Sequence, residues 1–372
     1  MGKFLIMLLW LAGFIWGGVG VVERLFIGKK LLNLGSYISW GLWVSLYIYL
    51  IGLSSGAYIF ACLVSVFKLK SFSRLRQVSL LASLVTLLGG LLTIVLDLGH
   101  WERFWYVFIH PAPSSMMSWM VWIYSLYFLI ILAQMYYVLS GSLKASSLIF
   151  LFSFPLAVTI PVCGGSLFGV IGARPYWHSA IFPVIFLFEA LLSGVSLITI
   201  LAAVFGLMKE EKEAFILLSR IVLGLLLVNI SLEIAVMAVP LWGQIAYHID
   251  AVKLVLFGPF WWVFWLAHVG LGCVLPLFLL SSKANLNRIT WACGLIVATF
   301  MSVRLNIVIP ALAIPELKGL ESAFIEKRLA FSYVPSPHEW QVSAFVVCLC
   351  AGLFYLGMRF FRFLGQAPRK ES

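Results

Sequence analysis

The sequence predicts an all-α polytopic membrane protein of about ten transmembrane helices. Hydrophobic residues make up 63% of its 372 residues and charged residues only 10%, with a mean hydropathy of +1.08. A soluble domain carries about a quarter charged residues, so a water-soluble globule is excluded. Apolar runs long enough to cross a bilayer recur along the whole chain. They lack strict alternation, which excludes a membrane barrel and leaves helices as the way to satisfy the backbone in lipid.

Charge and Pro/Gly punctuation place the spans near 4–22, 39–67, 77–97, 118–139, 147–169, 181–207, 214–239, 259–281, 288–310 and 340–360, in one integral membrane domain over residues 1–372. The first run is longer than the apolar core of a signal peptide and lacks a small-x-small cleavage site, so it reads as a retained helix. The second exceeds what a bilayer requires and should tilt or protrude. Pro155 and Pro161 interrupt the fifth.

An even number of spans puts both termini on one side, together with the even-numbered loops. That side carries fourteen basic residues, among them Lys68, Lys70, Arg74, Arg76, Lys209, Lys283, Arg369 and Lys370, against nine in the odd loops. The net charge of +11 therefore reads as orientation in a cell membrane, with both termini cytoplasmic. Nucleic acid is not an expected partner. The odd loops, facing outward, are long and aromatic-rich and hold eight of the fourteen acidic residues.

The six cysteines lie in apolar stretches with no C-x-x-C, so they read as small packing residues rather than as ligands of a cluster or zinc. Of six histidines only His268 lies within a span, so no pair of axial ligands exists for a membrane haem. The sequence thus predicts no metal, haem or iron–sulfur cluster in this chain.

Ionisable groups within a bilayer cost about 2.5–3.5 kcal/mol each on insertion scales and need a reason. Arg220 enters close to the cytoplasmic end of its span and can snorkel. Glu189, Glu233, His268 and Arg304 come from four consecutive spans. Each falls roughly 10–13 Å below the outer surface at about 1.5 Å per residue. Common depth predicts one bundle interior with Glu–Arg pairing, serving either as a proton path or as a packing salt bridge. Asn229 and Asn306 fall near the same level.

The outer loops mix indoles with titratable groups. The third span ends Asp97-Leu98-Gly99-His100-Trp101-Glu102-Arg103-Phe104-Trp105, Trp119 opens the fourth, and Arg174-Pro175-Tyr176-Trp177-His178 follows the fifth, with Trp40 before the second. An amphiphilic ligand with an apolar tail and a redox-active head needs this blend of apolar wall, hydrogen-bond donor and proton partner. A quinone is the obvious example.

At these residues the chain resembles the NrfD/PsrC family, the membrane subunits of polysulfide-reductase-like respiratory complexes. The matching stretches are residues 46–57, Leu96-Asp97-Leu98-Gly99 with Arg103-Phe104-Trp105, Met117-Ser118-Trp119 and Ala173-Arg174-Pro175-Tyr176-Trp177-His178-Ser179. Tyr333-Val334-Pro335 and Glu339-Trp340 are similar to the longer ten-span members of the HybB/DsrP type. The resemblance implies two four-helix bundles plus flanking helices and a quinone site near the outer face of the first bundle. It also implies electron exchange with a docked ferredoxin-like iron–sulfur subunit and, beyond it, a molybdopterin or other catalytic subunit. Ser39, Gly41 and Cys163 depart from the family pattern, so the quinone contacts differ in part. The expected quinone (menaquinone or ubiquinone) site comprises Trp40, Arg103, Trp119, Arg174, Trp177 and His178, with Asp97 and His100 as proton partners. Two rival readings are a secondary transporter, for which matched broken helices are missing, and a purely structural anchor of an extracytoplasmic enzyme.

Overall fold

A computed structural model describes residues 2–207, 212–244, 247–282, 285–317 and 319–366. Lys209, Lys283, Lys318, Arg369 and Lys370 of the charge count lie outside the described residues. Ten helices are long and apolar enough to cross a membrane: Phe4–Leu31, Leu42–Val66, Leu75–Asp97, Met116–Leu139, Ser146–Gly169, Phe182–Val204, Lys212–Gly243, Val263–Ser281, Leu286–Ala313 and Pro337–Phe360. They are called the first to tenth spans. The protein is an all-α, multi-pass membrane protein, with no strand among the described residues.

Spans two to five pack in a ring, as do spans six to nine, and the rings meet where the sixth span packs on the second and fifth and the ninth packs on the second. The first and tenth spans pair with each other against the third. Burial follows this plan. In the most apolar stretch of the second span 94% of residues are buried, against 11% in the first, which gives most of its surface to lipid. The second and sixth spans approach closely because both carry glycine at the crossing. A methyl on Gly56 would fall inside the Ala190 carbonyl, and one on Gly194 would strike the Gly56 backbone. Helices in lipid gain from such close backbone approach, since no hydrophobic force drives them together.

Polar bonds stitch the first ring. Ser54 Oγ donates to Ser83 O at 2.8 Å, Tyr127 OH donates to Ser54 O at 3.1 Å, and Tyr58 OH meets Ser153 Oγ at 2.8 Å.

Several ends differ from the sequence reading, and the first has a visible local reason. The first span continues past residue 22 because Arg24 is buried, donating to Leu96 O at 2.8 Å and Leu98 O at 2.6 Å. The seventh runs through Pro240 and the ninth through Pro310. In membranes a proline is tolerated within a span where a neighbour satisfies the carbonyl it leaves free. The ninth span is two helices, Leu286–Thr299 and Met301–Ala313, meeting at Phe300. The first half of the eighth, Val263–Val274, is π-helical.

Candidate functional site

The odd-loop end of the first bundle carries an aromatic cluster. Trp40 stacks on Trp177 with centroids 5.6 Å apart, and both meet Phe168 edge-on at 6.0 and 5.1 Å. Trp177 and Phe168 are buried, whereas Trp40 is half-buried. Phe168 continues into a small cavity of about 10 Å³ shared with Tyr124, Gly164, Phe186 and Arg304.

The Arg174-Pro175-Tyr176-Trp177 stretch docks on the ninth span, for a reason traceable to Pro310. A proline lacks the N–H that would bond the carbonyl four residues back, here that of Asn306. Tyr176 OH donates to Asn306 O at 3.2 Å and Trp177 Nε1 to Ile307 O at 2.7 Å. Arg174 Nη1 donates to Ile314 O at 2.9 Å and Ala311 O at 3.3 Å, and Nη2 pairs with Glu316 at 3.0 Å. A cation on the last carbonyls of a helix also complements its dipole. The side chains of Arg174 and Trp177 thus bond to the ninth span and the turn that follows it, leaving the indole face of Trp177 for other contacts.

The other expected residues divide among separate neighbourhoods. Asp97 is 7% exposed and stands 3.9 Å from Lys29, on the side of the first span. His100 Nδ1 meets Glu102 at 3.0 Å, and Arg103 lies 3.8 Å from the same carboxylate, all exposed. A backbone hydrogen bond and His100 hold the Glu102 carboxyl below the usual range. Trp119 Nε1 donates to Pro113 O at 2.8 Å, and His178 Nδ1 lies 2.9 Å from Gly169 O. Among the described residues, no hydrogen bond, ion pair or ring contact joins Asp97, His100 or Arg103 to Trp40 or Trp177.

Sequence reasoning missed the hub between these neighbourhoods. Leu42 N donates to Tyr333 OH at 2.9 Å, and Tyr333 OH donates to Glu339. The same carboxylate accepts from Ser336 N at 2.8 Å and Asn33 N at 3.3 Å. Tyr333 packs so tightly on Gly41 that a methyl there would collide with its hydroxyl. Burial, then the Glu339 charge, push the Tyr333 hydroxyl well above the ordinary phenol value. Glycine at 41 and the Tyr333…Glu339 spacing were visible in the sequence, but only the fold brings them together.

The second bundle holds the buried polar cluster. Arg304 Nη1 lies 2.5 Å from Glu189 Oε2 without the alignment of a hydrogen bond, so both Glu189 oxygens lack an aligned donor. The guanidinium also caps the Phe186 ring at 3.9 Å. His268 Nε2 meets Glu233 Oε2 at 2.7 Å, and Asn229 Nδ2 donates to Glu233 Oε1 at 2.6 Å. Cys273, read from sequence as a packing residue, places Sγ 3.8 Å from the same His268 nitrogen. Glu189, Glu233, His268, Asn306 and Tyr176 line one cavity of about 40 Å³, room for one or two waters. Arg220 is exposed on its span.

Tyr176 also lines a larger cavity of about 190 Å³ at the odd-loop end, with Arg174, Tyr247, Ala311, Ile314 and Glu316. It therefore stands between that vestibule and the buried polar cavity. Burial, with the Glu233 and Glu189 charges, raises the Tyr176 hydroxyl well above the phenol range, so it stays protonated and donates to Asn306 O.

Two helical bundles, an aromatic end and a titratable interior define a multi-pass membrane protein with ionisable groups buried among its spans. The chain belongs to the NrfD family: the family profile described as "Polysulphide reductase, NrfD" matches residues 30–316. It is 32% identical to a selenate reductase subunit of Mesobacillus selenatarsenatis, with 90% of this chain and 89% of that protein aligned. It is 27% identical to the Hdr-like menaquinol oxidoreductase integral membrane subunit of Archaeoglobus fulgidus, over 91% and 88%. Protein NrfD of Escherichia coli is 24% identical over 68% of this chain and 89% of its own length.

Proposed function

We propose that this chain is the quinone-reactive membrane subunit of a respiratory oxidoreductase complex, taking a quinol or quinone at the odd-loop end of the first bundle. The observation that carries the reading is the stacked Trp40–Trp177 pair over Phe168, in a chain similar along most of its length to a menaquinol oxidoreductase subunit. The cavity beneath is small, so a quinone ring displaces side chains to enter. Trp40, half-buried beside two buried rings, is the one free to swing.

Quinol oxidation releases two electrons and two protons. Asp97 is the leading proton partner, being a buried carboxyl at a span end, with His100 as the exposed alternative. Arg174 and Trp177 position the aromatic wall through the ninth span. Arg103, Trp119 and His178 belong to its rim. The electrons pass to or from an iron–sulfur subunit docked on the odd loops, where Trp101, Phe104, Trp105 and Tyr106 are exposed. The charge asymmetry supports the odd loops as the outer side.

Glu189, Arg304, Glu233 and His268 form a proton path in the second bundle, with Tyr176 and the vestibule as its mouth. Proton transfer needs groups within hydrogen-bond reach directly or through one water, and the shared cavity supplies that water.

The test is quinol turnover by the assembled complex in liposomes. Trp40→Ala should raise KM for quinol with the complex intact, and Asp97→Asn should lower kcat. Normal turnover in both would remove the site from this end of the bundle. Proton release unchanged by Glu233→Gln would reduce the second cluster to structural pairing.

A further inference from the structure

We infer that Glu233, His268 and Cys273 form a binding site for a thiophilic divalent cation of the zinc class, within the second bundle. One carboxylate oxygen, one imidazole nitrogen and the thiol sulfur lie within 4.8 Å of one another. Both contacts converge on a single atom, His268 Nε2, which faces Glu233 Oε2 at 2.7 Å and Cys273 Sγ at 3.8 Å.

The backbone explains the convergence. At about 100° per residue, an α-helix would turn Cys273 some 140° away from His268, five positions earlier. The segment Val263–Val274 is π-helical, and its wider i→i+5 turn carries both side chains to one face. Such turns are costly and concentrate at functional sites.

The distances suit a tetrahedral centre. Bonds of about 2.3 Å to sulfur and about 2.0–2.2 Å to nitrogen and oxygen separate the donors by roughly 3.3–3.7 Å. The sulfur–nitrogen distance of 3.8 Å lies just above that range, the nitrogen–oxygen contact of 2.7 Å opens by less than an ångström, and the sulfur and carboxylate oxygen, within 4.8 Å, draw together. A water from the adjoining cavity of about 40 Å³ completes the fourth position. Asn229 Nδ2 donates to the carboxylate oxygen that faces away from the histidine. Asn229 Oδ1 and His268 Nδ1 are buried without partners, polar atoms that a bound water and its neighbours can satisfy.

Charge favours the same conclusion. A divalent cation held by one thiolate, one carboxylate and a neutral imidazole is net neutral, the form in which charges are least costly to bury. Metal ligation needs a thiolate, a carboxylate and a neutral imidazole, so the Cys273 proton and any proton shared by His268 and Glu233 must leave as the cation arrives. Thiolate with imidazole selects zinc-like ions over magnesium or calcium. The vestibule and Tyr176 provide the entry. The atoms cannot hold the shared proton and the metal together, so an occupied site stops any proton transfer through His268.

The probe is Co2+, titrated into the purified full-length protein in detergent. One Co2+ per chain should bind with a thiolate-to-cobalt charge-transfer band, and Zn2+ should displace it. Cys273→Ser should abolish the band, and Cys293→Ser, altering a buried thiol elsewhere, should keep it. Asn229→Ala should weaken binding on the order of 10–100-fold by freeing the carboxylate. Helical circular dichroism and a monodisperse elution profile establish that each variant is folded, and His268→Gln serves as a second ligand deletion. A wild-type protein without a thiolate band, or a band that survives Cys273→Ser, overturns the site. The readout is optical, so it is independent of quinol turnover.

Discussion

Replacing Arg304 by methionine should destabilise the protein by about 3–5 kcal/mol, the usual consequence of removing one partner of a buried ion pair. The structure lets the figure be worked separately for each partner. Both residues are buried, at 2% exposure for Glu189 and 3% for Arg304. Without Arg304 the Glu189 carboxyl must hold a proton. At neutral pH, against an ordinary value near 4.3, this costs about 3.7 kcal/mol. Without Glu189 the guanidinium has no such escape, since it stays protonated to about pH 12, and the Phe186 face at 3.9 Å returns only about 0.5–2 kcal/mol. Glu189→Gln should therefore cost more than Arg304→Met. Glu189→Gln/Arg304→Met, with no charge left to bury, should return to within about 1 kcal/mol of wild type. Unfolding in mixed detergent micelles measures all three. Single variants each costing under about 1 kcal/mol, or a double variant costing the sum of the singles, would refute the pairing as a stability element.

Gly56→Ala should prevent folded protein from accumulating, because the methyl meets the Ala190 carbonyl, while Gly224→Ala, with open space around it, should be neutral or stabilise by about 0.5–1 kcal/mol; expression and thermal stability distinguish them. Tyr176→Phe should cost about 1–3 kcal/mol by orphaning the Asn306 carbonyl. Pro310→Ala, which restores a backbone donor to that carbonyl, should erase most of this loss in the double variant, and equal costs in both backgrounds would disprove the link. Burial lowers His248 below the ordinary imidazole value, and its ring packs edge-on to Tyr176 at 5.7 Å. A group whose value is lowered on folding contributes stability above its unfolded value and loses it as pH falls. Hydrogen-exchange protection of the helix His248–Phe257 should accordingly drop from about pH 6.5 downward, and protection that ignores pH would contradict this.

Span number and order were legible because apolar runs of bilayer length have no other solution in lipid. The depth argument was legible for a similar reason: Glu189, Glu233, His268 and Arg304 had to share a level, and they line or adjoin one cavity. Which acid pairs with which base was not legible, since matched depth leaves helix rotation free. The outer loops were harder still. Asp97, His100 and Trp40 share a chemistry and an end of the bundle. Nothing in their spacing shows that the Gly41–Tyr333 contact turns the start of the second span toward the tenth. The charge of Arg24 marks an end to the first span in the sequence. Its two carbonyl acceptors come from the end of the third span, some seventy residues away. Cys273 resembles a packing residue because helical spacing hides an i, i+5 pair that only a π-turn aligns.

Among the described residues, Arg304 is the one charged side chain that lines the first-bundle cavity while pairing with an acid of the second-bundle cavity. Coulomb interactions at such separations are weakly screened in a low-dielectric interior. A change of charge at Glu233 or His268 therefore acts on Glu189 across the shared cavity. It then reaches the first bundle through a guanidinium wedged against Phe186, whose ring in turn packs on Phe168 at 5.6 Å. Phe168 is the floor beneath Trp40 and Trp177. The aromatic end and the titratable cluster are thus joined by contiguous side chains, with no backbone rearrangement needed between them. This chain of contacts makes Arg304→Lys an informative substitution. Lysine keeps the charge while losing the planar face on Phe186, so it separates the electrostatic part of the link from the packing part.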